Sequence, residues 1–453
     1  MYFKQIVKED LGCASYIVGC TGAGVCAVVD PRLDMVDEIL ELTSVKGMRV
    51  AAIIETHNHA DHISGHGELA RRTEAPIYVH EQAGVEFPHE NLKDGDELRF
   101  GVALLRVMHT PGHRPEHIAL TVADTSRADE PWLVLTGDSL FIGDVARPDL
   151  AVHGQEGAAA LYVSIFERLL KLEDGVEVYP AHVAGSLCGR GMNAKTSSTI
   201  GFERRHNPAV APRPRATFVV DMNENLPERP PNMFAIVGRN QGDYATLPAP
   251  LQPLPFEPQA FKRELERGAL VIDTRSPHLF GEGHVPGSIN VYLHGSAFAT
   301  RVGFVAPPAA HLLLVVREEA DVREAMTQLA VVGYEQVVGC LAGGMEAWSE
   351  ADLPAQQLPQ LPVADLAAQL NSLTVLDVRD QGEWDEGHIE GARHIPYYRL
   401  ERQLVELDPQ QPLAVICGSG QRSSIAASLL QRHGFSNVTN VIGGMEAWNE
   451  ARL

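Results

Sequence analysis

Six residues in a row occur twice in this chain. Gly343-Gly344-Met345-Glu346-Ala347-Trp348 recurs as Gly443-Gly444-Met445-Glu446-Ala447-Trp448. Val271-Ile272-Asp273-Thr274-Arg275 is matched by Val375-Leu376-Asp377-Val378-Arg379, and Glu282-Gly283-His284-Val285 by Glu386-Gly387-His388-Ile389, both displaced by 104 residues. Self-similarity over such a span requires two copies of one structural unit. We expect copies at 256–353 and 354–453, a separate domain at 1–210, and a connector at 211–255. A length of 453 residues suits about three domains of ordinary size.

In the second copy, short β-branched runs at 373–377, 414–417 and 438–442 alternate with a helical pattern at 423–433. Strand, loop, helix, strand indicates α/β units around a buried parallel sheet. The first 210 residues contain strand-like runs at 50–54, 77–79, 104–108, 118–122 and 132–136, and a helix is expected after His66. That pattern suggests packed sheets with helices outside. Eleven of the 29 prolines lie between Pro208 and Pro258, in and beside the connector. Its 247–255 stretch reads as an extended linker, and 217–220 reads as a strand.

Composition mainly excludes. A net charge of -22 disfavours nucleic-acid binding and attraction to anionic membranes. No apolar run approaches the ~20 residues that span a bilayer. The start, Met1-Tyr2-Phe3-Lys4-Gln5, lacks a basic segment followed by an apolar one. Six cysteines are too few for a disulfide scaffold. The expectation is a cytoplasmic protein, with homo-oligomerisation left open.

Histidine is concentrated: nine of nineteen lie between His57 and His117. The densest stretch is Thr56-His57-Asn58-His59-Ala60-Asp61-His62, directly after the 50–54 strand. His57 and His59, two apart in an extended loop, can point the same way, leaving Asp61 and His62 for a neighbouring site. His113, Asp138 and His182 each follow a strand-like run and a turn residue, where a fold presents side chains from strand ends. His66, His80, His89, His109, His117 and His153 lack that setting.

These residues resemble the metallo-β-lactamase superfamily over residues 1–210. The resemblance implies an αββα sandwich with metal at the sheet edges. It places His57, His59 and His113 in one site and Asp61, His62 and His182 in another, bridged by Asp138. Two chemistries stay open. All seven ligands would hold two zinc ions for thioester hydrolysis, as in glyoxalase II. Alternatively, His57, His113 and Asp138 would hold one iron(II) as a facial triad with positions open for substrate and O₂.

Three features favour iron. His59-Ala60-Asp61-His62-Ile63-Ser64-Gly65 is similar to the persulfide dioxygenase motif. Asp138 leads to Ala146-Arg147-Pro148-Asp149, which resembles the segment where those enzymes place a substrate-binding arginine, here Arg147. The helical substrate-binding region of glyoxalase II is not evident. Cys188, six residues after His182, reads either as a residue able to touch a sulfur substrate or as a buried apolar cysteine. Cys13, Cys20, Cys26 and Cys340 read as structural.

The second copy contains Cys417-Gly418-Ser419-Gly420-Gln421-Arg422 at a strand end, then a helix. Backbone N–H groups of such a loop, with a helix N-terminus, stabilise a thiolate, a persulfide or an oxyanion. Arg422 is placed to pair with an anionic substrate. The Cys-x4-Arg spacing resembles the rhodanese sulfurtransferases; the tyrosine phosphatase loop is one residue longer. Asp377 and Arg379 fit the structural positions of that family. In the first copy the aligned loop is Val316-Arg317-Glu318-Glu319-Ala320-Asp321, with no nucleophile or glycine. We read 256–353 as a pseudo-rhodanese and leave Cys340 without a catalytic role.

The fusion is informative. A rhodanese cysteine carries sulfane sulfur; a persulfide dioxygenase consumes a persulfide and releases sulfite; sulfite accepts sulfane sulfur to give thiosulfate. A thioester hydrolase shares no such intermediate. The expected substrates are a low-molecular-weight thiol persulfide, O₂ and sulfite, with one iron(II) per chain. The rivals are a glyoxalase II-like hydrolase with one or two zinc ions, and a sulfur carrier or sensor with a vestigial metal domain.

Overall fold

The structure is a computed structural model and describes residues 1–224, 226–242 and 254–452. The chain divides into two compact units. One comprises Met1–Ala249 with Ala330–Gly333; the other comprises Pro250–Leu329 and Tyr334–Leu453, which hold nearly all of both repeat copies.

The first unit stacks two six-stranded sheets. Tyr2–Lys8, Cys13–Cys20, Val25–Val29, Arg49–Ile54, Ile77–His80 and Glu90–Leu92 form one in chain order. Glu97–Phe100, Ala103–His109, Ile118–Asp124, Leu133–Gly137, Glu177–Pro180 and Ser198–Thr199 form the other. Ile118–Asp124 shows why the layers form: every residue is buried. Ile118, Leu120 and Val122 face the inter-sheet core with Val18, Val29 and Ile54, whereas Ala119 faces the outer helix through Leu161 and Ile165. A period-two strand with both faces apolar needs a layer on each side. The five strands expected in this region and the helix after His66 (His66–Thr73) all form.

The connector departs from expectation. The 217–220 stretch is not a strand but part of the helix Arg215–Asn223, and a second helix runs over Met233–Gly242. Phe218 and Met222, four apart, are buried against Leu161, Ile165 and Val210, while Val220 is 58% exposed. The apolar residues that count follow helical spacing, so the β-branched run was misleading. The packed first unit thus extends past 210 to at least Gly242. Of the expected 247–255 linker, 247–253 lies outside the described residues. Pro255–Phe256 is a short strand paired in parallel with Cys340 and Leu341.

Each repeat copy is a five-stranded, all-parallel sheet. The orders correspond: Pro255–Phe256, Val337–Leu341, Leu312–Val315, Leu270–Asp273, Ile289–Asn290 in the first; Gln360–Pro362, Val438–Ile442, Leu413–Ile416, Thr374–Asp377, Arg393–His394 in the second. The repeated Asp-x-Arg has one function twice. Arg275 makes a bidentate pair with Asp273 and donates to the Gly283 carbonyl at 2.8 Å; Arg379 does the same with Asp377 and the Gly387 carbonyl at 2.7 Å. Trp348 and Trp448, from the repeated hexapeptide, are buried in the two cores.

Candidate metal centre and sulfur-transfer loop

The strand Arg49–Ile54 delivers the 56–62 loop to the sheet edge, where the ends of Ile118–Asp124, Leu133–Gly137 and Glu177–Pro180 bring His113, Asp138 and His182. His57, His113 and Asp138 are fully buried and offer three ligand atoms to one point. His57 Nε2 lies 3.7 Å and His113 Nε2 3.5 Å from Asp138 Oδ2. The remaining atoms of each side chain are anchored. Thr56 Oγ1 contacts His57 Nδ1 at 2.9 Å, the Arg147 carbonyl accepts from His113 Nδ1 at 3.0 Å, and His182 Nδ1 holds Asp138 Oδ1 at 2.7 Å. Outer partners of this kind fix tautomer and ring orientation for a ligand set. His113 Nε2 and Asp138 Oδ2 are buried with no hydrogen-bond partner among the described residues. Two such orphaned atoms facing a third donor fit a divalent cation.

His59 does not join this set. Its Nε2 sits 3.4 Å from Asp30 Oδ1 and 3.3 Å from Glu55 Oε2, while its ring centroid lies 4.1 Å from that of His57 and neither ring nitrogen has a hydrogen-bond partner among the described residues. Of the expected three-histidine site, His57 and His113 converge with Asp138, and His59 groups with Asp30 and Glu55. Asp61, His62 and His182 do gather, and Cys13 joins them. Cys13 Sγ lies 3.6 Å from His62 Nδ1, so this cysteine is not simply structural packing. His182 Nε2 meets Asp61 Oδ2 at 2.7 Å, so both its ring nitrogens face carboxylates.

Charge follows from these contacts. Burial, then neighbouring imidazoles, push His57 well below the usual histidine range; burial also lowers His113. Both are neutral near pH 7, as ligation requires. Burial opposes charge on His182 too, but Asp138 and Asp61 outweigh it and raise its pKa well above the usual range. Burial pushes the Cys188 thiol up, and it packs with Phe141 and Ala146 beside Asp138 and His182. The Arg147 guanidinium is 2% exposed and bound bidentately to Asp149, at 2.7 and 2.9 Å.

Sequence reasoning missed four supports. Asp30 accepts from the Thr56 backbone and hydroxyl at 2.7 and 2.8 Å. Glu55 contacts His59 and His66, the latter at 3.2 Å. His117 Nε2 accepts from the Asp138 backbone at 2.8 Å, and Gly137 allows it: a Cβ there would lie 2.5 Å from that nitrogen, at φ +50°. Asn240, from the helix in the connector, donates to the His59 and His62 carbonyls at 2.9 and 2.8 Å and accepts from the Ser64 N–H at 2.9 Å. Asp30 and Glu55 each directly follow a strand, and Glu55 adjoins the motif, a weak available signal. Asn240 is 178 residues from His62 and had none.

In the second copy, Cys417 follows the strand Leu413–Ile416 and is fully buried. The Gly420 N–H donates to its Sγ at 3.2 Å, and Ser423 Oγ lies 3.4 Å away. Gly418 and Ser419 complete the loop, and the helix Gln421–Arg432 begins immediately after it. Arg422 is not held open for an anion: Glu383 binds it at 2.5 and 2.7 Å and Asp380 at 3.1 Å. In the first copy, Glu319 and Asp321 open the helix Glu319–Val331 at the equivalent place.

Comparison with known proteins gives three results. The metallo-beta-lactamase superfamily profile matches residues 9–182, and the rhodanese-like domain profile matches 257–351 and 362–451. The chain is 29% identical over 230 residues to "Persulfide dioxygenase ETHE1, mitochondrial" of Homo sapiens, covering 50% of this chain and 84% of that protein. It is 32% identical over 204 residues to "Hydroxyacylglutathione hydrolase" of a Polaromonas species, covering 43% and 73%. Among solved structures, a metallo-beta-lactamase from Staphylococcus aureus subsp. aureus COL is similar with TM-score 0.68 and 28% identity, covering 75% of this chain and 98% of that one.

Proposed function

From the premise that the chain belongs to the metallo-β-lactamase superfamily and carries two rhodanese-like domains behind that fold, we propose that it oxidises a low-molecular-weight thiol persulfide to sulfite and transfers sulfane sulfur to sulfite. The first reaction is RSSH + O₂ + H₂O → RSH + SO₃²⁻ + 2H⁺. The second is RSSH + SO₃²⁻ → RSH + S₂O₃²⁻.

His57, His113 and Asp138 would hold iron(II), which supplies the one-electron chemistry that O₂ needs to react with sulfur. Thr56, the Arg147 carbonyl and His182 keep those three side chains aimed inward. Burial keeps water from competing at the site. Arg147 acts here mainly as a brace, because an anion could claim its guanidinium only by displacing Asp149. Cys188 lines the site as a small apolar wall in contact range of a sulfur substrate.

At Cys417, the thiolate attacks the terminal sulfur of a persulfide and expels the carrier thiolate. The Cys417 persulfide then gives that sulfur to sulfite, releasing thiosulfate and restoring the thiolate. The Gly420 N–H stabilises the negative sulfur in both steps. The first copy has no nucleophile for this reaction. Tethering both sites in one chain raises the effective concentration of shared intermediates.

The observation that supports this reading is the two-histidine, one-carboxylate set of His57, His113 and Asp138 with its orphaned atoms. A dizinc hydrolase is the second reading, favoured by the neighbouring Cys13, Asp61, His62 and His182 group. Product analysis tests the choice. Aerobic incubation with glutathione persulfide should yield sulfite and thiosulfate, with no hydrolysis of S-lactoylglutathione; thioester hydrolysis without sulfite would overturn the proposal.

A further inference from the structure

The repeat copy that lacks a nucleophile is not remote from the loop that has one. The helix Phe298–Val305 of the first copy presents Arg301, whose Nη1 donates to Gln421 Oε1 at 2.8 Å. Gln421 is the residue between the sulfur-cradling Gly420 and Arg422. The second Arg301 nitrogen donates to Ser296 Oγ at 2.7 Å. Both partners are neutral oxygens. Among the described residues no carboxylate lies within ion-pair distance of Arg301. Burial lowers its pKa from the usual arginine range, with Arg422 as a further lowering charge and Cys417, Tyr397 and Asp380 as raising ones. Arg301 is thus a partly desolvated cation within electrostatic reach of Cys417.

Arg422 contrasts with it. Two carboxylates, Glu383 and Asp380, already offset its charge. A sulfur-loaded Cys417 must meet a multiply charged sulfur oxyanion in a protein of net charge -22. A guanidinium with no carboxylate partner keeps its charge and its donors beyond those to Gln421 and Ser296 for such oxygens. The placement of Arg301 is secured from the first copy. Asn290 accepts from Ser424 Oγ at 2.6 Å, its N–H donates to Ser428 Oγ at 3.1 Å, and Phe304 packs on Tyr397 and Tyr398. Ser424 and Ser428 lie one helical turn apart on the helix that starts at Gln421, so the docking fixes the loop and the guanidinium together.

We propose that the pseudo-rhodanese copy completes the Cys417 site by supplying Arg301 as the binding group for the anionic sulfur oxyanion. The inactive copy is retained as a source of charge rather than as a spacer. This inference rests on the proposed sulfur transfer at Cys417 for its biological meaning, but its physical content is a positive potential at that sulfur.

The test compares alkylation of Cys417 by iodoacetate and by uncharged iodoacetamide, followed by mass spectrometry of the Cys417 peptide in the full chain. The wild type should favour the anionic reagent relative to free cysteine. R301Q should cut the iodoacetate-to-iodoacetamide rate ratio about fivefold or more. R301K should restore most of it, and R301M, which keeps the apolar stem, should behave as R301Q. In sulfur transfer, R301Q should raise KM for sulfite about tenfold, with a smaller change in kcat. A purely structural role would slow both reagents alike and leave the ratio unchanged, which overturns the proposal. A wild type that shows the ratio but transfers no sulfur would sink the sulfur-transfer reading and leave the assignment of Arg301 intact.

Discussion

Nδ1 of His182 holds Oδ1 of Asp138 at 2.7 Å, which leaves the other carboxylate oxygen facing His57 and His113. Asp61 engages the opposite nitrogen of the same ring. In the one-iron account His182 is therefore an orienting partner, not a ligand. His182→Gln should weaken metal binding by roughly 10–100-fold while keeping the stoichiometry near one per chain. Anaerobic metal titration followed by elemental analysis reads both quantities. A fall from two bound ions to one would instead identify His182 as a ligand in a dizinc site.

The two proposed activities should separate cleanly at one atom. Cys417→Ser should still consume O₂ and release sulfite from a thiol persulfide. It should lose thiosulfate production, because a serine oxygen cannot carry sulfane sulfur. Unchanged thiosulfate yield would remove Cys417 from the transfer step.

The repeated hexapeptide offers an internal control. Gly444 has φ +56°, and a Cβ there would lie 2.3 Å from the Cys417 carbonyl oxygen and 2.4 Å from that of Gly418. Gly344, its counterpart, has φ +59°, but the nearest atom to its Cβ is the Val316 carbonyl oxygen at 3.9 Å. Gly344→Ala should cost only left-handed strain, of order 1 kcal/mol. Gly444→Ala adds a backbone collision and should be more destabilising by a few kcal/mol, with loss of sulfur transfer. Denaturant unfolding of both variants checks the ordering.

Asn240→Ala should reveal the connector's part in the metal loop. It leaves the His59 and His62 carbonyls and the Ser64 N–H without their partner in a site where Asn240 is 3% exposed. Each buried group left unsatisfied costs about 1–3 kcal/mol. Thermal unfolding should show a large loss, and metal affinity should fall with it. Near-wild-type values for both would show that the loop holds itself.

Acid sensitivity follows from paired carboxylates that are not themselves among the proposed metal ligands. Burial raises the Asp34 pKa, but the hydrogen bond and charge of Arg32 more than reverse this, holding it below the usual value; Asp149 is lowered in the same way by Arg147. A depressed folded-state pKa gives stability that is present above the unfolded value, about 3.9 for Asp, and is lost as pH falls through the folded one. Metal-free protein should therefore keep its melting temperature down to about pH 5 and lose it steeply below about pH 4. Asp149→Asn should flatten that decline.

Much of this molecule is legible in its sequence because local patterns carry it. The duplicated Asp-x-Arg makes the same contacts twice and the repeated hexapeptide buries a Trp in each core, so the paired α/β units follow from the repeat. His57, His113 and Asp138 stand out because each ends a strand-like run at a turn. What sequence could not reveal depends on long-range packing. Phe218 and Met222 disclose a helix only once the surface against Leu161 exists. His59 lies beside Asp30 and Glu55, and nothing in the spacing of the motif encodes that proximity. Arg422 looked available for substrate until Glu383, from another helix, took its charge. Arg301 belongs to a copy that its own loop marks as inactive, so its relation to Cys417 exists only in three dimensions.

Persulfide oxidation at His57, His113 and Asp138 requires one iron per chain. The most direct measurement is metal content of anaerobically purified chain together with O₂ uptake on a thiol persulfide. About one iron per chain and stoichiometric O₂ consumption with sulfite formed are expected, both abolished in Asp138→Asn. Two zinc ions per chain with no O₂ uptake would contradict this.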